Sequence, residues 1–171
     1  MTESRTVVVI GVGNEYRRDD GVGHTVVALL RERLRGRLRE GPPPGVALAT
    51  CDGDPARLIG LWEDAALAVV VDAAHAHPGT PGRVHRIALD GNRLAPPSAT
   101  SSHGLGLGEA VELARALGRL PGHLVVYAVE GADGSFGTGL SPAVAAAVPL
   151  LAEAVEDEIV RATAPVPGAR P

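Results

Sequence analysis

The sequence predicts an α/β domain: a three-layer sandwich in which a mostly parallel, twisted five-stranded sheet carries helices on both faces. Three observations predict it. Short apolar or β-branched runs recur along the chain, and between most of them lies a stretch with apolar residues at helical spacing. Two runs, Thr6–Ile10 and Ala66–Val71, have no polar face and read as strands buried on both sides, as parallel strands are. The linking stretches are long enough for the helical crossovers that parallel strands require.

Each element has its own signal. Thr6–Ile10 is unbroken and ends at glycine, and Gly11–Gly13 with Asn14 marks a loop. A helix starts near Asp19–Gly23, where Asp19 or Asp20 can act as N-cap. Its inner stripe is Val22, Val26, Leu29, Leu30 and Leu34, and Gly41–Gly45, with three prolines, stops it. Val46–Thr50 is a second strand. Pro55 opens a helix with Leu58, Leu61 and Trp62 inward. Ala66–Val71 is the central strand and His75–Pro81 a loop. Arg83–Leu89 is more polar and suits an edge. Ala95–Ser102 is a Pro/Ser/Thr loop before a helix through Leu107–Leu117, and Leu124–Val129 is the fifth strand. Gly131–Gly139 is a glycine-rich loop, and Pro142–Val160 the last helix, with Glu153, Glu156 and Asp157 outward. One domain is expected over residues 1–162, followed by a disordered tail, 163–171.

Composition narrows the function. Aromatic residues are 2% and the net charge is −4, which argues against nucleic acid or an anionic membrane as the main partner. All 16 basic residues are arginine. The run Arg31, Arg33, Arg35, Arg37, Arg39 is spaced by two, spreading its charges around a helix as a solvated end. Cys51 is the single cysteine, so one chain can build neither a disulfide framework nor a thiolate zinc site, and Cys51 reads as a buried structural thiol. Met1–Thr6 is polar, without a signal peptide's apolar region, and the longest fully apolar stretch, Ala65–Val71, is too short to span a bilayer. A cytoplasmic setting is expected.

Sites in sheets of this kind lie beyond the carboxyl ends of the strands. That selects the loops at Gly11–Gly23, Asp72–His77 and Ser98–Gly108. The first is no dinucleotide fingerprint: Tyr16 stands where the third glycine belongs, and two carboxylates at the helix start would repel a pyrophosphate. Asp19 and Asp20 can both be capping residues, but one cap needs one Asp. Asp72 follows a buried strand and either caps a turn or projects into the crevice. His103 either caps its helix or faces the rim; His75 and His77 are loop histidines that can stay solvated or touch a ligand. Asp20, Asp72 and His103 fall on one expected rim. Two oxygen donors and an imidazole suit a divalent metal such as Ni²⁺ or Zn²⁺. His24, four residues after Asp20, is a lesser candidate ligand. There is no H-E-x-x-H motif and no G-x-S-x-G elbow.

The stretch G-x-G-N-x-x-x-x-D-D-G-x-G over Gly11–Gly23, with Val69–Asp72 and His103–Leu107, resembles the [NiFe]-hydrogenase maturation proteases. The likeness runs in order from about Arg5 to Val160 and implies a twisted, mainly parallel sheet with helices on both faces. It also implies an endopeptidase, catalogued as aspartic-type, that removes a C-terminal extension from a hydrogenase large-subunit precursor after nickel insertion. Asp20, Asp72 and His103 would be the metal-recognition and catalytic residues, and the nickel, or another divalent ion in its place, would come with the substrate. Two departures stand out: Glu15–Arg18 is polar where the family usually carries leucine, and the second strand is followed by Asp52-Gly53-Asp54 rather than Asp-Gly-Gly. Asp19 is a candidate proton acceptor, and Gly131–Gly139 either grips the extended tail or is a plain flexible loop. The rival readings are a metal-sensing chaperone that binds such a precursor without cutting it and an α/β hydrolase acting on small amides.

Overall fold

The computed structural model describes residues 6–37, 42–90 and 105–164. The strands are β1 (Val7–Val12), β2 (Val46–Cys51), β3 (Leu67–Ala74), β4 (Val84–Asp90) and β5 (His123–Glu130). The helices are α1 (Val22–Arg37), α2 (Pro55–Trp62), α3 (Leu105–Leu117) and α4 (Pro142–Thr163). The sheet runs in the order β2-β1-β3-β5-β4. Every pairing is parallel except that of β4, which lies antiparallel to β5 at the edge. The predicted fold class is therefore the observed one.

Alternation along the buried strands builds two cores. Val7, Val9, Val69, Val71, Val125 and Val129 face α1 and α4, where they meet Val22, Val26, Leu30, Val148 and Val155. Val8, Ile10, Ala68, Val70 and Val126 face the other way, against Leu58, Ile59 and Trp62 of α2 and Ala110 and Ala114 of α3. This is why β1, and β3 as far as Val71, are apolar on both faces.

Two glycines bring α1 against the strands. A Cβ on Gly11 would sit 2.3 Å from the Gly23 carbonyl oxygen, and one on Gly23 would sit 2.4 Å from the Val71 carbonyl oxygen. Either methyl would push the helix start off the sheet. The spaced glycines of the first loop are thus a packing device that seats the start of α1 between β1 and β3.

Several boundaries differ from expectation. β3 continues through Ala74, so Asp72 lies inside the strand rather than after it. A 3₁₀ turn, Arg18–Gly21, precedes α1, and neither Asp19 nor Asp20 caps that helix. Helix α4 reaches Thr163, one residue into the expected tail; residues 165–171 lie outside the described residues, as does the loop expected at 95–102. No helix among the described residues is long and apolar enough to cross a membrane.

Candidate functional site

The chain lays β2 to one side of β1 and β3 to the other, so the crossovers diverge at β1 and β3. A crevice opens where crossovers diverge, at the carboxyl ends of those strands. A cavity of about 280 Å³ lies there, bordered by Val12 and Gly13 after β1, Asp52 and Gly53 after β2, and Asp72, Ala73 and His75 at the end of β3. Asp20 and Leu107 complete the wall.

Asp72 is 8% exposed, and no arginine or histidine is ion-paired with it among the described residues. Burial raises its carboxyl pKa, the charge of Asp20 raises it further, and a hydrogen bond from the Ala73 backbone offsets them only in part; the outcome is about 7. A proton or a cation at this position would relieve both penalties.

Asp20 is half-buried and held from below. Its Oδ2 accepts the Asn14 backbone N–H at 2.8 Å, and its own N–H donates to the Arg17 carbonyl at 3.0 Å. Gly13, at φ +132°, passes so close that a Cβ there would lie 1.9 Å from the Asp20 carbonyl oxygen. That contact explains the second glycine of the first loop.

Asp19 faces the other way. It is fully buried, and its carboxylate accepts the backbone N–H groups of Ala132 (2.8 Å), Asp133 (2.9 Å) and Ser141 (2.7 Å) and the Ser141 hydroxyl (2.8 Å). Burial pushes its carboxyl up, but these bonds outweigh it and leave the pKa below the ordinary value. A buried carboxylate that accepts four hydrogen bonds and is held below its ordinary pKa is a poor proton acceptor. The expected general-base role for Asp19 is therefore replaced by an architectural one, and the capping role fails because its partners lie on a distant loop.

The structure brings Asp20 and Asp72 to one cavity; His103, the third expected residue, lies outside the described residues. Among the described residues no three His, Cys, Asp or Glu side chains converge tightly enough to hold an ion. His75 borders the cavity and His77 does not. The His24 Nε2 is buried without a hydrogen-bond partner among the described residues and is not part of the cavity wall. Asp52 was not singled out as a site residue, although its place after β2 on the same sheet edge was the available signal. Asp54 spends its carboxylate on capping α2, accepting the Arg57 N–H at 2.9 Å. Cys51 is buried as expected, and burial raises its thiol pKa.

Comparison with known proteins decides the family. The family model described as hydrogenase maturation protease (HycI) matches residues 39–158, more than half of the chain. The chain belongs to the hydrogenase maturation proteases. As a member of that family it is an endopeptidase, a hydrolase of hydrogenase maturation. Among solved structures, the maturating endopeptidase HybD from E. coli is 24% identical over 91% of this chain and 92% of its own, with a TM-score of 0.68. The HybD maturation protease from Thermococcus kodakarensis is 22% identical over 90% of this chain and 98% of its own, also at 0.68. A hydrogenase 2 maturation peptidase from a Thaumarchaeota archaeon is 25% identical over 90% and 97%, at 0.62. No curated protein matches the chain. The matched range begins after Gly11–Gly23, so for that segment of the maturation protease the likeness rests on the shared fold.

Proposed function

We propose that this maturation protease cuts a C-terminal extension from a [NiFe]-hydrogenase large-subunit precursor, with Asp20 and Asp72 as the working carboxylates and His103 as their third partner. One observation carries the reading: at the sheet's switch point a buried carboxylate, Asp72, has its pKa raised to about 7 by burial and by a second carboxylate, Asp20, with no counter-cation among the described residues. The pair fits a divalent ion carried by the substrate, since hard oxygen donors that repel each other gain most when a cation enters between them. The nickel of the precursor is that ion in this reading, and a bound divalent ion supplies Lewis-acid polarisation of a carbonyl or a water.

The chain's own residues do the rest. Gly13 and Gly53 keep the cavity wall low, so an extended backbone can approach Asp72. In this reading the carboxylate not engaged by the ion takes a proton from an attacking water and returns it to the leaving amine. The lone, buried Cys51 is consistent with a cytoplasmic setting.

The test is a mass measurement on a purified large-subunit precursor incubated with the protease. The expected result is one shortened product that has lost a C-terminal peptide. A precursor that binds and stays full length would overturn the reading.

A further inference from the structure

We propose that Asp19 is a positioning residue: by clamping the 131–141 loop onto the 14–20 segment, it sets the place of Asp20 in the site. The inference rests on the reading of Asp20 as a working carboxylate.

The argument begins with strain. Arg18 is the one non-glycine with positive φ among the described residues, at +43°. A left-handed conformation is strained for an L-residue with a side chain, so something must hold it. The holding bonds come from the distant loop. The Arg18 N–H donates to the Gly137 carbonyl at 3.0 Å, and the Gly137 N–H donates to the Tyr16 carbonyl at 2.9 Å. The Asp19 N–H donates to the Asp133 carbonyl at 3.0 Å. The Asp19 carboxylate then draws in Ala132, Asp133 and Ser141. Gly131 passes close to the clamp, where a Cβ would lie 3.2 Å from the Asp19 Cβ and crowd it.

Asp20 follows directly. Its position is read at one atom, the Asn14 N–H that binds its Oδ2. If the loop lets go, Arg18 relaxes, the turn at 17–20 opens, and the Asp20 carboxylate leaves both Asn14 and the cavity wall. Adjacent aspartates therefore divide the work: one is spent entirely on holding the turn, and the other is presented to the crevice.

The experiment uses the variants D19N, G137A and D20N in the full chain. D19N keeps the shape but points an amide at N–H donors. G137A loosens the same loop from the other side, because Gly137 sits at φ +145°, a backbone conformation that a side chain strains, and bonds Arg18 and Tyr16. The first readout is the Asn14 amide resonance by NMR, which needs no substrate. Both D19N and G137A should move it toward its position in D20N; if D19N does not fold, G137A alone decides. The second readout is cleavage of a nickel-loaded large-subunit precursor. D19N should lower kcat on the order of ten- to a hundredfold with little change in KM, as misplacement of a working group does. Adding D19N to D20N should cost nothing further, because Asp19 acts through Asp20. An Asn14 resonance unmoved in both variants, or losses that multiply in the double variant, would overturn the positioning role and leave the proposed function standing. A D20N protein that cleaves at the wild-type rate would overturn the site reading, and the role of Asp19 with it.

Discussion

Glu158 and Asp72 are buried to nearly the same depth, 6% and 8% exposed, at opposite ends of the sheet. Glu158, on α4, borders a cavity of about 770 Å³ at the amino ends of β1, β3 and β5. Its Oε1 accepts from Arg86 Nε at 2.8 Å and the Tyr127 hydroxyl at 2.9 Å, with an Arg161 guanidinium nitrogen 3.3 Å away. Burial pushes the Glu158 carboxyl up, the bonds from Arg86 and Tyr127 overcome that, and it ends below its ordinary pKa. Asp72 receives no such help, and its carboxyl rises to about 7. The amino end is the larger concavity, yet its buried charge is balanced from within. The carboxyl end is smaller and holds a buried carboxyl group that no cation among the described residues balances. Unbalanced charge at a switch point marks the place where a ligand or a proton completes the chemistry, so charge balance rather than cavity size locates the site.

Substitution at the two carboxylates should separate these roles. The largest effect is expected from Asp72→Asn, which should lower cleavage of the precursor by on the order of a hundredfold or more, measured by single-turnover product formation. Glu158→Gln should leave cleavage near the wild-type rate but destabilise the fold by about 1–3 kcal/mol in urea unfolding at neutral pH, because Arg86 and Tyr127 lose a charged acceptor. An activity loss equal to that of Asp72→Asn would erase the contrast.

The pH dependence of stability should differ in sign between the ends. Folded Asp72 keeps its proton up to about pH 7, whereas in the unfolded chain it is lost near the ordinary 3.8. The folded state binds the extra proton in that window, so this group makes stability fall as pH rises through it. Asp72→Asn should remove that slope and raise stability at pH 8, while Glu158→Gln should remove stability present above the ordinary 4.5 and lost as pH falls through its lowered value. Urea titrations across pH 4–8 read both. The smallest effect is expected at His24, which is not part of the cavity wall: His24→Ala should change cleavage less than about twofold.

Much of this was legible in the sequence, for identifiable reasons. Strands β1 and β3 announce themselves by runs that are apolar on both faces, broken in β3 only at Asp72, and β4 because an edge tolerates His85 and Arg86. Asp20 and Asp72 were traceable because the end of a parallel strand has a predictable place in the fold. Asp19 was misread because its partners lie 113 to 122 residues away, and no local pattern records a contact at that range. Helix capping was the only role its neighbours could suggest. Asp72 was placed after its strand because Ala73 and Ala74 carry weak strand propensity, whereas pairing with Val129 and Glu130 extends the strand through them. Glu158 was hidden among Glu153, Glu156 and Asp157 on α4; only the packed helix shows that it alone turns toward Arg86 and Tyr127.

The most direct test of an unbalanced carboxylate pair awaiting a substrate cation is cleavage of the same precursor in two states, with nickel and without. Product is read by intact mass at equal protease concentration. Wild-type protease should shorten the nickel-loaded precursor at a single C-terminal site and leave the nickel-free precursor intact, and Asp20→Asn and Asp72→Asn should each lose the first activity. Equal shortening of both precursor states by the wild-type protease would contradict the account.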